Sequence, residues 1–428
     1  METFLRIIQC NSSSAFWNDE SDWQVRRSRL DSSTYSLITP TMPAVTSGKV
    51  LVTGANGYVA IWIIKTLLEK GYSVWGTIRS DSKAAHVRSL FASYGDKFEL
   101  VAVNDFTKEG AFDEVVKGVV AIEHTASPVS WSAKDPNELI KPAVEGTLGV
   151  LQSALRHGTQ VKRVVITSSG AAVQEFGVAP ERRVYSEADW NRKSIREVET
   201  KGEGADQLEK YCASKTLAEL AAWEFFEEQK KKGYLSFDIV TLVPPYVFGP
   251  WLQEVKDPSA LNMPNNFFYD NVIQGKASNE SLANDGGQLV DVRDLALAHV
   301  LSIENAEAGG KRLLISAGNF KWQDIVNAAR RYSAKIPAGN VSYNPESAEH
   351  LITLDTSSTE KVLPELHYRS IEDTTLGMLE SLEKSGESEE LLSFNVRVLA
   401  KLNRIIIMCQ LWTECHHFNA RASLHPDR

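Results

Sequence analysis

From Lys49 onward, short apolar runs rich in β-branched residues alternate with longer stretches whose apolar positions recur every three or four residues. The first pattern reads as strand and the second as helix. It predicts strands over 49–52, 73–78, 98–103, 119–123, 163–167 and 237–242, with helices over 58–70, 82–93, 112–117, 140–156 and 211–232. Strands separated by helical crossovers make a parallel sheet covered on both faces. The expected fold is therefore α/β, a Rossmann-like doubly wound sheet whose ligand crevice lies beyond the carboxyl ends of its strands. After Leu242 the alternation breaks. Pro244, Pro245, Gly249, Pro250 and Pro264 interrupt a stretch rich in Phe, Tyr and Trp, and helices follow over 294–302 and 321–332. This predicts a smaller C-terminal substrate-binding lobe, formed mainly after residue 243 of a unit spanning 48–384.

Both ends stand apart from that pattern. Residues 1–47 are polar and aperiodic and read as a disordered lead, with Met42-Pro43-Ala44 a natural start for the folded unit. Glu2, Asp19, Glu20, Asp22 and Asp31 argue against a transit peptide. Residues 385–428 form an extension to which no role is assigned. A formal charge of -9 disfavours a nucleic-acid partner, and no apolar run approaches the ~20 residues needed to cross a bilayer. The four scattered cysteines, Cys10, Cys212, Cys409 and Cys415, outline no disulfide framework, so a reducing, cytoplasmic setting is expected. Cys409, Cys415, His416 and His417 match no zinc spacing, and no metal is expected.

Candidate chemistry begins where the first strand meets Thr53-Gly54-Ala55-Asn56-Gly57-Tyr58-Val59-Ala60. Gly54 suits a tight turn, Gly57 lets a pyrophosphate approach the backbone, and the following helix offers open N–H groups at its positive end. The second strand ends in Thr77-Ile78-Arg79-Ser80, with no acid to hold the ribose hydroxyls of NAD. Arg79, with Lys83 one turn on, is suited to a 2′-phosphate, which selects NADP(H).

Tyr211 is followed four residues later by Lys215, on the same face of a helix. A free phenol has a pKa near 10, and nearby positive charge is expected to lower it towards neutrality. A shift of about two to three units needs roughly 3–4 kcal/mol. Ser169 ends the run Val164 to Ser169 at the carboxyl end of the fifth strand, where its hydroxyl can meet a substrate carbonyl and the phenol together. His124 reads as a packed strand-end residue, Asp291 and Asp294 as helix caps, and Cys212 as a packed thiol. Tyr246, Phe248, Trp251, Phe267 and Phe268 fit either a pocket wall or a core.

Taken together, Val52-Thr-Gly-Ala-Asn-Gly-Tyr58, Lys134-Asp-Pro-Asn137, Ile140 to Thr147, Val164 to Ser169, Tyr211 to Glu219 and Val290 to Asp294 resemble the extended short-chain dehydrogenases/reductases. The likeness is to the dihydroflavonol reductase-like branch and covers roughly 49–384. It implies an NADPH-dependent reductase of aldehydes or ketones, with Ser169, Tyr211 and Lys215 catalytic and a small carbonyl compound as partner. It further implies that Asp105 and Phe106 contact adenine, that Thr125, Ala126 and Ser127 line the cofactor cleft, and that Pro244 and Val247 flank the nicotinamide. Gln174 stands where plant flavonoid reductases carry asparagine, and Glu209-Lys210 where cinnamoyl-CoA reductases carry Asn-Trp, so the fungal aldehyde/ketone reductases are the nearer likeness. An epimerase, a dehydratase or a hydroxysteroid dehydrogenase on the same machinery, and a non-catalytic NADP sensor, remain alternatives. Oligomeric state is not legible.

Overall fold

The computed structural model describes residues 44–80, 84–128, 131–177, 181–255 and 257–385. The lead up to residue 43, Lys83, and the extension from 386 onward with Cys409, Cys415, His416 and His417 lie outside the described residues. In chain order the first half comprises β1 (Lys49–Thr53), α1 (Tyr58–Glu69), β2 (Ser73–Ile78), α2 (Ala84–Leu90), β3 (Phe98–Ala102), β4 (Ala121–His124), α3 (Asn137–His157) and β5 (Arg163–Thr167). Next come β6 (Arg183–Tyr185), α4 (Arg192–Lys201), α5 (Gln207–Lys231), β7 (Asp238–Val243), β8 (Tyr246–Phe248), α6 (Met263–Phe268), α7 (Asn279–Asn284), β9 (Gly286–Asp291) and α8 (Val292–Glu304). The chain continues through β10 (Arg312–Leu314), β11 (Gly318–Lys321), α9 (Trp322–Arg330), β12 (Ile352–Leu354), α10 (Ser357–Val362) and α11 (Ile371–Ser385).

Seven parallel strands form the main sheet in the order β10-β7-β5-β4-β1-β2-β3. The order reverses between β1 and β4, which opens the crevice that the doubly wound pattern predicts. Val50, Leu51, Val52, Val164, Val165, Ile239 and Val240 are all fully buried. Strands covered on both faces need such unbroken apolar runs. One face packs on α1 and α8 through Ile61, Ile64 and Leu295. The other packs on α3 and α5 through Val150, Leu151 and Phe225. Each such side chain contributes about 1.5–3 kcal/mol on burial.

Three details depart from the sequence reading. The stretch 112–117 is a chain of turns rather than a helix, between Gly110 and Gly118, both at positive φ. A seventh strand, β10, extends the sheet beyond β7. The helix carrying Tyr211 starts one turn earlier, at Gln207.

The smaller lobe holds a second sheet, β11-β9-β8, over a core that includes Phe248, Phe268, Phe320, Trp322 and Met378. Phe248 and Phe268 are therefore core, whereas Tyr246 faces the crevice. The lobe is fastened to the first βα unit by hydrogen bonds from the Tyr58 hydroxyl to Gly249 O (2.9 Å) and from the Trp62 indole to Pro250 O (2.8 Å). A short parallel pair, β6 with β12, ties the segment after 343 to the loop after β5. Upstream of β1, Val45 is buried and its N–H donates to Ile303 O. Among the described residues no helix is long and apolar enough to cross a membrane.

Candidate active site

The crevice at the strand ends is a cleft of about 1450 Å³. That exceeds the ~300–1,000 Å³ of a typical single-ligand pocket, so a dinucleotide and a small substrate fit side by side. Gly54, Asn56, Gly57, Tyr58, Val59, Arg79, Phe106, Thr125, Ala126, Ser127, Ser169, Tyr211, Lys215, Pro244 and Val247 all line it. Asp105 does not.

The phosphate cradle follows from the backbone. Gly54 has φ of 72°, and a Cβ there would stand 3.3 Å from Ala126 Cα. Its N–H donates to Thr77 Oγ1 at 3.0 Å, fixing the turn between β1 and α1 against the end of β2. Gly57 caps α1 with no side-chain hydrogen bond, and no acid stands in the first turn, so the helix start is electrostatically open to an anion. The Arg79 guanidinium lies 5.2 Å from the Phe106 ring centre at the end of β2. Phe106 in turn occupies the space a side chain at Gly146 would fill, since a Cβ there would stand 2.4 Å from the ring. That explains the glycine in the Ile140 to Thr147 motif. The Asp105 carboxylate accepts from Thr107 Oγ1 (2.6 Å) and Thr107 N (3.1 Å), which holds it below the usual carboxylate range, with a smaller contribution from Arg79.

Across the mouth of this cradle, Ser169 caps a short helical turn, accepting from Ala171 N at 3.1 Å. Its position is set from behind. Ser168 N and Gly170 N donate to Leu242 O (2.8 Å) and Pro244 O (2.7 Å), and Ser168 Oγ donates to Glu219 at 2.5 Å. Glu219 is paired with Arg312 at 2.8 Å, which holds this fully buried carboxyl below the ordinary range despite its desolvation. Ser169 lies close enough to the Tyr211 phenol to favour its ionised form, and Lys215 Nζ stands 5.9 Å from the Tyr211 ring centre. The structure thus brings Ser169, Tyr211 and Lys215 together beside the glycine turn.

The electrostatics differ from the sequence expectation. Burial pushes Tyr211 up to about 12, against the lowering expected from its lysine neighbour, and pushes Lys215 down to about 8. Burial of the phenol outweighs the lowering by Ser169, so Tyr211 is a neutral hydroxyl at physiological pH. His124 is buried, with Nδ1 3.0 Å from Thr53 Oγ1. That hydroxyl oxygen already accepts from Thr125 N and Ala126 N, both at 3.0 Å, so its hydrogen goes to Nδ1 and the imidazole is neutral. Burial, helped by Lys215, lowers His124 to about 3. Asp291 caps α8 as expected, accepting from Arg293 N, whereas Asp294 accepts from Arg369 N at 2.7 Å.

Two wall elements were not anticipated, and a third, Gln174, was named without its partners. Trp131 tilts against Tyr211 with ring centres 5.4 Å apart. Gln174 Nε2 donates to Gln288 Oε1 (2.7 Å), and Gln288 Nε2 to Ile352 O (2.6 Å), so an amide relay from β9 to β12 fixes Gln174. Tyr343, Asn344 and the stretch 347–352 close the far side. No periodicity marks that last stretch.

Comparison with known proteins gives the same architecture. The model of the NAD dependent epimerase/dehydratase family matches residues 50–318. The chain belongs to this family. It is 41% identical to an oxidoreductase of Schizosaccharomyces pombe, over 67% of this chain and 82% of that protein. It is 34% identical to aldehyde reductase 2 of Sporidiobolus salmonicolor, over 76% and 93%. Among solved structures, yeast methylglyoxal/isovaleraldehyde reductase complexed with NADPH superposes with a TM-score of 0.68 at 30% identity, covering 79% of this chain and 99% of that one.

Proposed function

We propose that this family member is an NADPH-dependent reductase of aldehydes and ketones in which Tyr211 is the proton donor. One observation carries the reading: Ser169, Tyr211 and Lys215, the last one turn along α5 from the phenol, line the same cleft as the glycine turn. The relatives that are named for aldehyde and methylglyoxal reduction support the choice of carbonyl chemistry.

NADPH, when bound, supplies the hydride. As hydride adds to the carbonyl carbon, the carbon–oxygen π pair moves onto oxygen, and Ser169 and Tyr211 donate hydrogen bonds to the developing charge. Tyr211 then transfers its proton and leaves an alcohol product. The neutral phenol is the correct starting state for an acid, and an alkoxide is a far stronger base than a phenolate, so the transfer runs downhill even from a raised pKa. Lys215 stabilises the phenolate left behind and holds the nicotinamide ribose. Arg79 pairs with the 2′-phosphate, and Phe106 supports its guanidinium. A cytoplasmic setting is part of the proposal, in keeping with the unpaired, buried Cys212.

The test is consumption of NADPH and of NADH by the full chain against short aldehydes, 2-oxoaldehydes, aryl ketones and steroid ketones. Turnover of an aldehyde or ketone with preference for NADPH is expected. Absence of turnover with every carbonyl, while NADPH binds, would make the protein a sensor; preference for NADH would overturn the role of Arg79.

A further inference from the structure

Beneath the cleft lies a buried chain of three polar side chains that the reaction above does not use. Glu123 stands on β4 and His299 on α8, both fully buried, and Thr167 ends β5 two residues before Ser169 and lines the cleft. His299 Nδ1 lies 2.6 Å from Glu123 Oε2, and His299 Nε2 lies 3.0 Å from Thr167 Oγ1. Glu123 Oε1 is buried with no hydrogen-bond partner among the described residues, and the ion-pair contact of Glu123 is with His299, through Oε2.

We propose that Glu123 and His299 form a buried relay that fixes the Thr167 hydroxyl as a hydrogen-bond donor into the cleft, where it binds an acceptor oxygen of the dinucleotide. This rests on the reading of the cleft as a nucleotide site. Proton bookkeeping supplies the direction. The pair is net neutral either as carboxylic acid with neutral imidazole or as carboxylate with imidazolium. In the first state the acid donates to Nδ1, so the ring's own hydrogen is on Nε2; in the second, both nitrogens carry hydrogen. Both states therefore place a hydrogen on Nε2, which Thr167 Oγ1 accepts. The threonine's own hydrogen then has no protein acceptor among the described residues and is left for a ligand.

The remaining state, a carboxylate with a neutral imidazole protonated on Nδ1, would turn Thr167 around. It would also bury a net negative charge with one hydrogen bond and one orphaned oxygen, which is costly in a dry interior. Burial works in the same direction on both members, raising Glu123 well above the usual carboxylate range and lowering His299 to about 3. Charge is thus disfavoured at both ends, and the neutral acid with neutral imidazole is the ground state.

Two measurements test the relay separately from the enzyme assignment. In the ¹⁵N-histidine spectrum of the cofactor-free full chain, with His299 assigned by its disappearance in His299→Gln, Nε2 is expected to carry hydrogen. A bare Nε2 overturns the proposal, and this readout needs no activity. NADPH dissociation constants for wild type, Thr167→Val and Thr167→Ser are then compared by nucleotide fluorescence, with melting temperatures to report folding. Thr167→Val should bind about five- to tenfold more weakly, the loss of one hydrogen bond, and Thr167→Ser should restore affinity. Glu123→Leu should lose part of the same affinity, and the double variant should bind no worse than Thr167→Val alone. Equal binding by wild type and Thr167→Val, or losses that multiply in the double variant, overturns the relay while leaving the cleft a nucleotide site. Failure of wild type itself to bind NADPH overturns both readings.

Discussion

Lys215 holds its ammonium 5.9 Å from the centre of the Tyr211 ring, one turn along the same helix. Both groups sit in a partly dry cleft, and each is pushed towards its neutral form by burial, Tyr211 to about 12 and Lys215 to about 8. The acid is therefore held in its proton-bearing state, and the cation is the member that titrates within reach of physiological pH.

That titration predicts a pH dependence. As pH rises through about 8, Lys215 in the free protein loses its charge, and kcat/KM for NADPH, which reports the free enzyme, should fall. Lys215→Arg, whose guanidinium stays charged, should move that inflection out of the range. A profile that is flat from neutral to alkaline pH in the wild type would contradict the assignment.

Arg79 sets the cofactor preference. Arg79→Asp removes a charge-assisted pair with a 2′-phosphate, worth about 1.5–3 kcal/mol, and should raise the KM for NADPH roughly ten- to a hundredfold while leaving or improving that for NADH. Unchanged Michaelis constants for both cofactors would refute it.

The Arg312–Glu219 pair joins stability to the site. Arg312 also donates to Glu187 O at 2.9 Å, and Glu219 accepts from Ser168. Arg312→Met strands a buried carboxylate and should cost about 3–5 kcal/mol, read as a lower Tm. Because Glu219, which anchors Ser168, loses the partner that fixes it, kcat should fall as well at temperatures where the variant remains folded. A variant with a lowered Tm and wild-type kcat would show that the pair does not position Ser169.

His124 makes the fold acid-labile. Its folded pKa of about 3 lies below the unfolded value of 6.5, so between these values the unfolded chain binds the extra proton. Stability should fall as pH drops through that window, with a slope that approaches about 1.4 kcal/mol per pH unit for this one group. Denaturant melts at pH 7, 6 and 5 should show it, and His124→Asn should flatten the slope; an unchanged slope would assign the lability elsewhere.

The main sheet was legible because strands buried on both faces advertise themselves as continuous apolar runs, as in Val50 to Val52 and Val164 to Ile166. The glycine turn and the Tyr211–Lys215 spacing were legible because their chemistry needs fixed local offsets. Strand β10 was hidden because it is short and opens with Arg312, whose charge is paired with Glu219, 93 residues away. The helix expected over 112–117 fails because Gly110 and Gly118 close turns at either end, a tertiary choice that short periodicity does not reveal. The cleft wall after Tyr343 depends on the pairing of β12 with β6, 169 residues apart in register, and no local pattern encodes it. The sign of the Tyr211 shift was missed for a related reason: a sequence displays the neighbouring charge but not the depth of burial.

The most direct test of the account is single-turnover and steady-state reduction of an aldehyde by Tyr211→Phe, with NADPH affinity measured in parallel. Removing only the phenolic hydroxyl should lower kcat by about 10²–10⁴ while NADPH still binds with near wild-type affinity. Wild-type turnover by Tyr211→Phe would contradict the assignment of the proton donor, and with it the mechanism.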